Sequence, residues 1–375
     1  MRQLWTVFLC VCVWLAATAR AIASDVVPIV LANGLIHPWA IAFIDAETML
    51  VTERGGNLRT VGHDGSISPP IQGLPPITAV GQGGLLDVIV DRAFEINRQI
   101  YFCFTQADPL DESLNRTALA SARLREDLRE ITDLKILFTQ KPSYRGGYHF
   151  GCRIVDPGDG SLFLGLGDRY YLMEQAQSRA NEIGKVVRVN KDGTIPLTNP
   201  FRGVDGVSGA VWSTGHRNIQ GATLGIDADL WIVEHGPQGG DELNLIKPAI
   251  NYGWPVITYG ENYGGGPIGA GITKAPGMAQ PVTYWVPSIA PSGLAWLDSD
   301  RYGASWANNL LVGSLKFGYL VRLVLKDNRV VAKHIVQPEL KQRVRDVRVG
   351  PDGLIYILTD SANGQLIQLR PNQSR

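Results

Sequence analysis

The chain has 375 residues, with 35 basic and 35 acidic side chains and a formal net charge of zero. Hydrophobic residues make up 45% of it, which permits a large buried core and excludes a disordered chain. Four Cys are too few for a disulfide-stapled scaffold, and no basic run marks a nucleic-acid surface.

Arg2 opens a short positive segment, Leu4 to Thr18 is nearly all apolar, and Ala21-Ile22-Ala23 has a small residue on either side of Ile22. This pattern predicts a secretory signal peptide over residues 1–23, and a mature domain over 24–375 that is periplasmic or secreted. The apolar run is short for a membrane span and no later run replaces it, so stable membrane insertion of the mature chain is not expected. Cleavage removes Cys10 and Cys12, together with Arg2 and Arg20, which leaves a net charge of −2. Cys103 lies inside the apolar run Ile100 to Phe104, so Cys103 and Cys152 are expected as two buried thiols, although an oxidising compartment would let them pair.

Along the mature chain, short β-type runs recur. They start at Thr48, Ile100, Ser161, Asp229, Asn309 and Gly353, and Asp159-Gly160 and Asp352-Gly353 supply turn signals before two of them. Leu114 to Leu124 is the best of the few helix candidates. Six units of strands and loops, with no linker between them, predict an all-β chain: a six-bladed β-propeller of four-stranded antiparallel sheets in one domain. A pair of β-sandwiches is the alternative.

Several segments depart from ordinary strand-turn sequence. Gly81 to Gly84, around Gln82, suggests a loop whose backbone approaches a ligand closely. In Gly147-Tyr148-His149-Phe150-Gly151, His149 is suited to proton transfer, and Asp168, at the end of a strand, could orient its imidazole. Alone, a His in a Gly loop is more often structural. Trp212 to Asn218 holds Arg217. Glu234 to Asn244 is rich in oxygen donors around Gly236-Pro237 and suits a hard cation such as Ca²⁺, or a solvated acidic turn. Arg343 and Arg345 alternate along a strand and, with Lys316, could hold a polyanion or form surface ion pairs.

Together these segments resemble the bacterial pyrroloquinoline quinone (PQQ)-dependent soluble aldose sugar dehydrogenases, relatives of soluble glucose dehydrogenase. The resemblance runs from about Gly34 to Leu366 and is most specific at Glu234 to Asn244, Asn251 to Pro255 and Arg343 to Val347. It implies the six-bladed propeller independently. It further implies that His149 is the catalytic base supported by Asp168. Gln82, Arg217, Asn218, Ser288, Lys316, Arg343 and Arg345 would contact PQQ, with Arg217 also stabilising charge on the quinone. Gly236 and Pro237 would give backbone carbonyls to a PQQ-bound Ca²⁺, and Glu242 and Tyr252 would hold a second Ca²⁺. Ser288 stands where glucose dehydrogenase has Thr, and Tyr148 where it has an acidic residue, so glucose preference does not carry over. The implied activity is oxidation of an aldose at C1 to the lactone, with electrons passed to an acceptor that the resemblance does not specify. A Ca²⁺-dependent propeller hydrolase such as a lactonase is the rival, but the Lys316, Arg343 and Arg345 cluster argues against it. A non-catalytic binding propeller would need neither that cluster nor His149 with Asp168.

Overall fold

The computed structural model describes residues 25–372 apart from 339 and 341. The signal-peptide expectation therefore lies outside the described residues.

Six antiparallel sheets follow one another as a six-bladed β-propeller. The first strand of each blade is Pro38–Phe43, Leu85–Val90, Gly151–Val155, Ile219–Leu224, Pro291–Leu297 and Val344–Val349. Each of these packs against the first strand of both neighbouring blades, which closes a ring around one axis. They are buried along most of their length, as expected of strands covered on both faces. The second strands are Thr48–Glu53, Gln99–Ala107, Ser161–Leu166, Leu230–Glu234, Asn309–Ser314 and Ile355–Thr359. Each of the six β-type runs legible in the sequence falls on one of them. Blade 1 has three strands, with Ile67 bridged to Val61 beyond the last.

The ring is closed by the chain's own ends. Val26–Leu35 pairs antiparallel with Gly364–Pro371, from Val26 opposite Pro371 to Leu35 opposite Gly364, as the outer strand of blade 6. The pairing ties blade 6 to blade 1, whose first strand follows Leu35 directly.

Two expectations are corrected. Residues 114–124 are not helical: Asn115–Leu124 is a strand paired on one side with Gln99–Ala107 and on the other with Ile131–Thr139. Its Ala- and Leu-rich composition favours helix by only tenths of a kcal/mol per residue, and two ladders with burial on both faces outweigh that. Cys103 and Cys152 are both fully buried, but they form a disulfide, with Cα atoms 5.8 Å apart. Strands of adjacent blades bring the two sulfurs together, and a separation of 49 residues hides that proximity in the sequence. Closing a loop of that length removes about 4 kcal/mol of unfolded-state freedom in the chain-entropy model.

On the axis lies a charge cluster in which Arg153, Asp87 and Asp346 are buried and Arg348 reaches the second face of the ring. Arg153 of blade 3 sits 3.2 Å from Asp87 of blade 2 and 3.0 Å from Asp346 of blade 6. Arg348 sits 2.7 Å from Asp87 and 2.9 Å from Asp346. Asp87 Oδ2 accepts from Ile154 N, Asp346 Oδ2 accepts from Ile41 N as well as from Arg348, and Arg153 Nε donates to Gln220 O at 2.6 Å. Two arginines and two aspartates are thus neutral as a set and tie five blades together.

Candidate active site

A cavity opens at the starts of the first strands. All six blades line it, through Trp39, Leu86, Gly151, Gln220, Leu315 and Arg345 among others. A second cavity, lined by Val90, Val155, Leu224, Trp296 and Arg348, lies at the opposite ends of the same strands. The buried charge cluster stands between them.

His149 stands on the loop entering blade 3, directly before the cavity-lining Phe150 and Gly151, and does not itself line the cavity. Its side chain is buried, and its Nδ1–H donates to Asp168 Oδ1 at 2.6 Å. Asp168 is fully buried and follows the second strand of the same blade. Its Oδ1 also accepts from Tyr170 N at 2.8 Å, and its Oδ2 from Trp254 Nε1 at 2.8 Å. The carboxylate fixes the imidazole tautomer and leaves Nε2 as the free lone pair. Burial lowers the His149 pKa below the ordinary histidine value, with Arg217 and Arg169 adding to it, against the pull of Asp168. The neutral base is therefore the resting form.

The loop is held by close backbone contacts. Gln82 Oε1 accepts from His149 N at 2.9 Å, and Gln82 N donates to Gly147 O at 2.7 Å. A Cβ on Gly81 would lie 2.3 Å from Gly147 O. The glycines around Gln82 thus serve the approach of one loop to another, where the sequence suggested approach to a ligand.

Arg217 is buried next to Trp254, 5.2 Å from its ring centroid. Its Nη1 donates to Gly236 O at 2.6 Å and His235 O at 3.1 Å, and its Nε has no partner. Gln82, Asn218, Arg343 and Arg345 all line the cavity. Arg345 bonds Gln220 Oε1 at 3.0 Å and Asp360 at 3.3 Å, and its buried Nε is unpaired. Arg343, 3.7 Å from Asp360, remains half-exposed. Lys316 and Ser288 are not among the lining residues. The Lys316 ammonium lies 5.1 Å from the Phe317 ring centroid, and Ser288 Oγ donates to Asp241 Oδ2 at 2.7 Å.

The oxygen-rich segment folds as a buried acidic turn. Burial, and then the nearby Glu234 charge, push the Glu242 carboxyl up to about 8. Asn244 Nδ2 bridges Glu234 and Glu242, while its Oδ1 has no partner. Tyr252 stacks on His216 at 4.9 Å, and its hydroxyl donates to Leu245 O. No group of three or more His, Cys, Asp or Glu side chains is arranged around a metal-sized gap among the described residues.

Sequence reasoning left Trp39, Arg54, Gln220, Leu315 and Asp360 out of the site and held His235 only as a reserve proton acceptor, yet all line the cavity. Arg54, His235, Leu315 and Asp360 each stand directly after the second strand of a blade. Aligning the six units on that strand would have exposed the position. His235 Nε2–H donates to Pro291 O at 2.7 Å, and burial first, then Arg217 and Arg345, bring its pKa down to about 3.

The structure thus sets a buried His–Asp pair next to a cationic axial cavity in a closed propeller. The sequence matches the glucose/sorbosone dehydrogenase family over residues 35–368, and the chain belongs to that family. It is 40% identical over 346 residues to an aldose sugar dehydrogenase of Escherichia coli (strain K12), covering 91% of this chain and 92% of the relative. The crystal structure of the soluble aldose sugar dehydrogenase from Escherichia coli in its apo form matches with a TM-score of 0.88 and 39% identity, over 92% of this chain and 100% of the other. The PQQ-bound aldose sugar dehydrogenase of Streptomyces coelicolor matches with a TM-score of 0.75 and 25% identity, over 92% and 98%. Among the described residues no helix is long and apolar enough to cross a membrane.

Proposed function

We propose that this protein oxidises aldose sugars at C1 to the lactone, with PQQ in the axial cavity and Ca²⁺ beside it, in the periplasm or outside the cell. The observation that carries the reading is the buried His149–Asp168 hydrogen bond on the loop next to a cavity lined by Arg54, Arg343 and Arg345.

The donors present fit a polycarboxylate. Arg345 and Arg217 each bury an Nε–H with no partner, and an anionic ligand would satisfy donors of this kind. The fit to cations rests on carbonyls and carboxylates. His235 O and Gly236 O already converge on one positive group, the Arg217 guanidinium, and Gly236 and Pro237 would offer their carbonyls to Ca²⁺. Glu242, with its raised carboxyl pKa, and the orphaned Asn244 Oδ1 suit a second Ca²⁺ near Tyr252. Bound PQQ, polarised by Ca²⁺, supplies the quinone that accepts the C1 hydride.

The chain's own residues do the rest. His149 Nε2 takes the proton of the anomeric hydroxyl as the C1 hydride leaves. Asp168 holds the imidazole and stabilises the imidazolium that forms, and Trp254 and Tyr170 hold Asp168. Arg217 places positive charge beside the reacting centre.

Protein purified without cofactors should show no dye-linked aldose oxidation until both PQQ and Ca²⁺ are added. Equal activity in EDTA-treated, PQQ-free protein would overturn the reading. Arg343→Ala should weaken PQQ binding, read by titration of the apo protein, by about 10- to 150-fold, the loss of a charge-assisted contact worth about 1.5–3 kcal/mol. Lys316→Ala, for which the sequence predicts the same loss, should change it less because Lys316 does not line the cavity.

A further inference from the structure

The backbone that carries His149 adopts a conformation its residues do not favour. His149, Gly151 and Cys152 have φ of 50°, 68° and 81°. A Cβ on Gly151 would lie 2.7 Å from Gly165 O and Gly167 N, so the segment is pressed against the strand that leads to Asp168. Glycine adopts positive φ freely, whereas His and Cys hold it only under restraint.

Cys152 is also the extra residue of a β-bulge. Gly165 pairs with Arg153 and Leu166 with Gly151, which leaves Cys152 without an opposite number. Bulges of this kind re-aim neighbouring side chains and recur beside active sites. Three hydrogen bonds restrain the segment just before it: His149 N to Gln82 Oε1, Thr117 Oγ1 to Phe150 O, and Arg169 N to His149 O. Cys152 itself is tied through its sulfur to Cys103, a buried residue in mid-strand opposite Leu119 in blade 2.

We propose that the Cys103–Cys152 disulfide is a positioning device for His149. It holds Cys152, the bulge residue of blade 3, at a positive φ that cysteine keeps only under restraint, and so preserves the backbone path that sets His149 against Asp168. The cationic side chains that line the cavity, Arg54, Arg343 and Arg345, stand on blades 1 and 6, Arg217 lines the neighbouring pocket with Trp254 and Pro237, and none of them depends on this restraint. The inference rests on His149 being the base proposed above, but its first test needs no turnover.

That test is an NMR titration of the His149 imidazole in the apo protein. The groups facing His149 are Asp168, the Tyr170 ring at 5.1 Å, Arg169, Arg217 and His235. All of them are kept in the variants. In Cys103→Ala/Cys152→Ala the loop should loosen and His149 should gain solvent, so its pKa should rise towards the ordinary value of about 6.5. In Cys103→Ala/Cys152→Gly, glycine takes φ 81° without restraint, and the titration should stay at the wild-type position. With PQQ and Ca²⁺ added, kcat on an aldose should fall roughly 10-fold or more in the Ala pair, since a misplaced base is costly. PQQ affinity should hold, and the Gly pair should recover most of kcat.

An Ala pair with wild-type titration and unchanged kcat would overturn the proposal and leave the disulfide as a stability staple. A Gly pair no better than the Ala pair would also overturn it. If the Ala pair does not fold, the Gly pair decides: wild-type titration supports the proposal, and titration at the ordinary value sinks it. Absence of aldose oxidation in the wild type would strike the proposed function alone, because the titration would still report on the loop.

Discussion

Replacing His149 with Ala is expected to leave PQQ binding in place and to slow reduction of bound PQQ by an aldose about 10²- to 10⁴-fold, the usual worth of a positioned base. The measurement is single-turnover absorbance with excess sugar. The base acts only as the hydroxyl proton leaves, so its loss raises the barrier without emptying the cavity. Burial holds the His149 pKa below the ordinary value of about 6.5, so the wild-type rate should be flat at neutral pH. It should fall as pH drops through that lowered pKa, because protonation fills the Nε2 lone pair. Asp168→Asn should lose less, in the same direction, as it removes the support and keeps the base. A His149→Ala enzyme within a few-fold of wild type would mean another group takes the proton. His216 could not be that group. It is fully buried, with Nδ1 bonded to Glu234 and Nε2 accepting from Ser213 Oγ. His235, on the cavity wall, would be tested next.

Arg153→Met is expected to destabilise the fold by about 3–5 kcal/mol, the typical result of removing one partner from a buried ion pair. Arg153 is 2% exposed, and both of its carboxylate partners, Asp87 and Asp346, are fully buried. Methionine fills similar space, so the loss comes from the carboxylates and not from a cavity. The set of two Arg and two Asp would carry a net charge of −1 with only Arg348 left to compensate it. Urea unfolding checks this through a lowered midpoint at an unchanged slope. A change below about 1 kcal/mol would show that water or a neighbouring cation reaches the cluster.

The sequence made some parts of this molecule legible because their causes are local. The second strand of each blade is an apolar run beside a turn, and Asp159-Gly160 and Asp352-Gly353 have the left-handed glycines such turns need. Arg343 and Arg345 share the cavity because they flank Val344, the first residue of the Val344–Val349 strand, although Arg343 lies just before that strand and not on it as the sequence suggested. His149 and Asp168 meet because two neighbouring strands of one sheet bring their ends together. Lys316 and Ser288 failed to join the cavity for the opposite reason. Their direction is set by rotamer and packing, which the type of residue does not reveal.

What the sequence determined by itself was the all-β class, the six-fold repetition and the two residues of the buried His–Asp pair. These follow from periodicity, turn chemistry and family motifs. Tertiary structure alone decided the rest. Ring closure joins Val26 to Pro371, and axial packing buries Arg153 between Asp87 and Asp346. The meeting of two blades turns a pair of expected thiols into a disulfide beside His149, and two flanking ladders make a strand of a helix-like segment. Each depends on contacts between residues far apart in the chain, where burial and pairing outweigh preferences of a few tenths of a kcal/mol per residue.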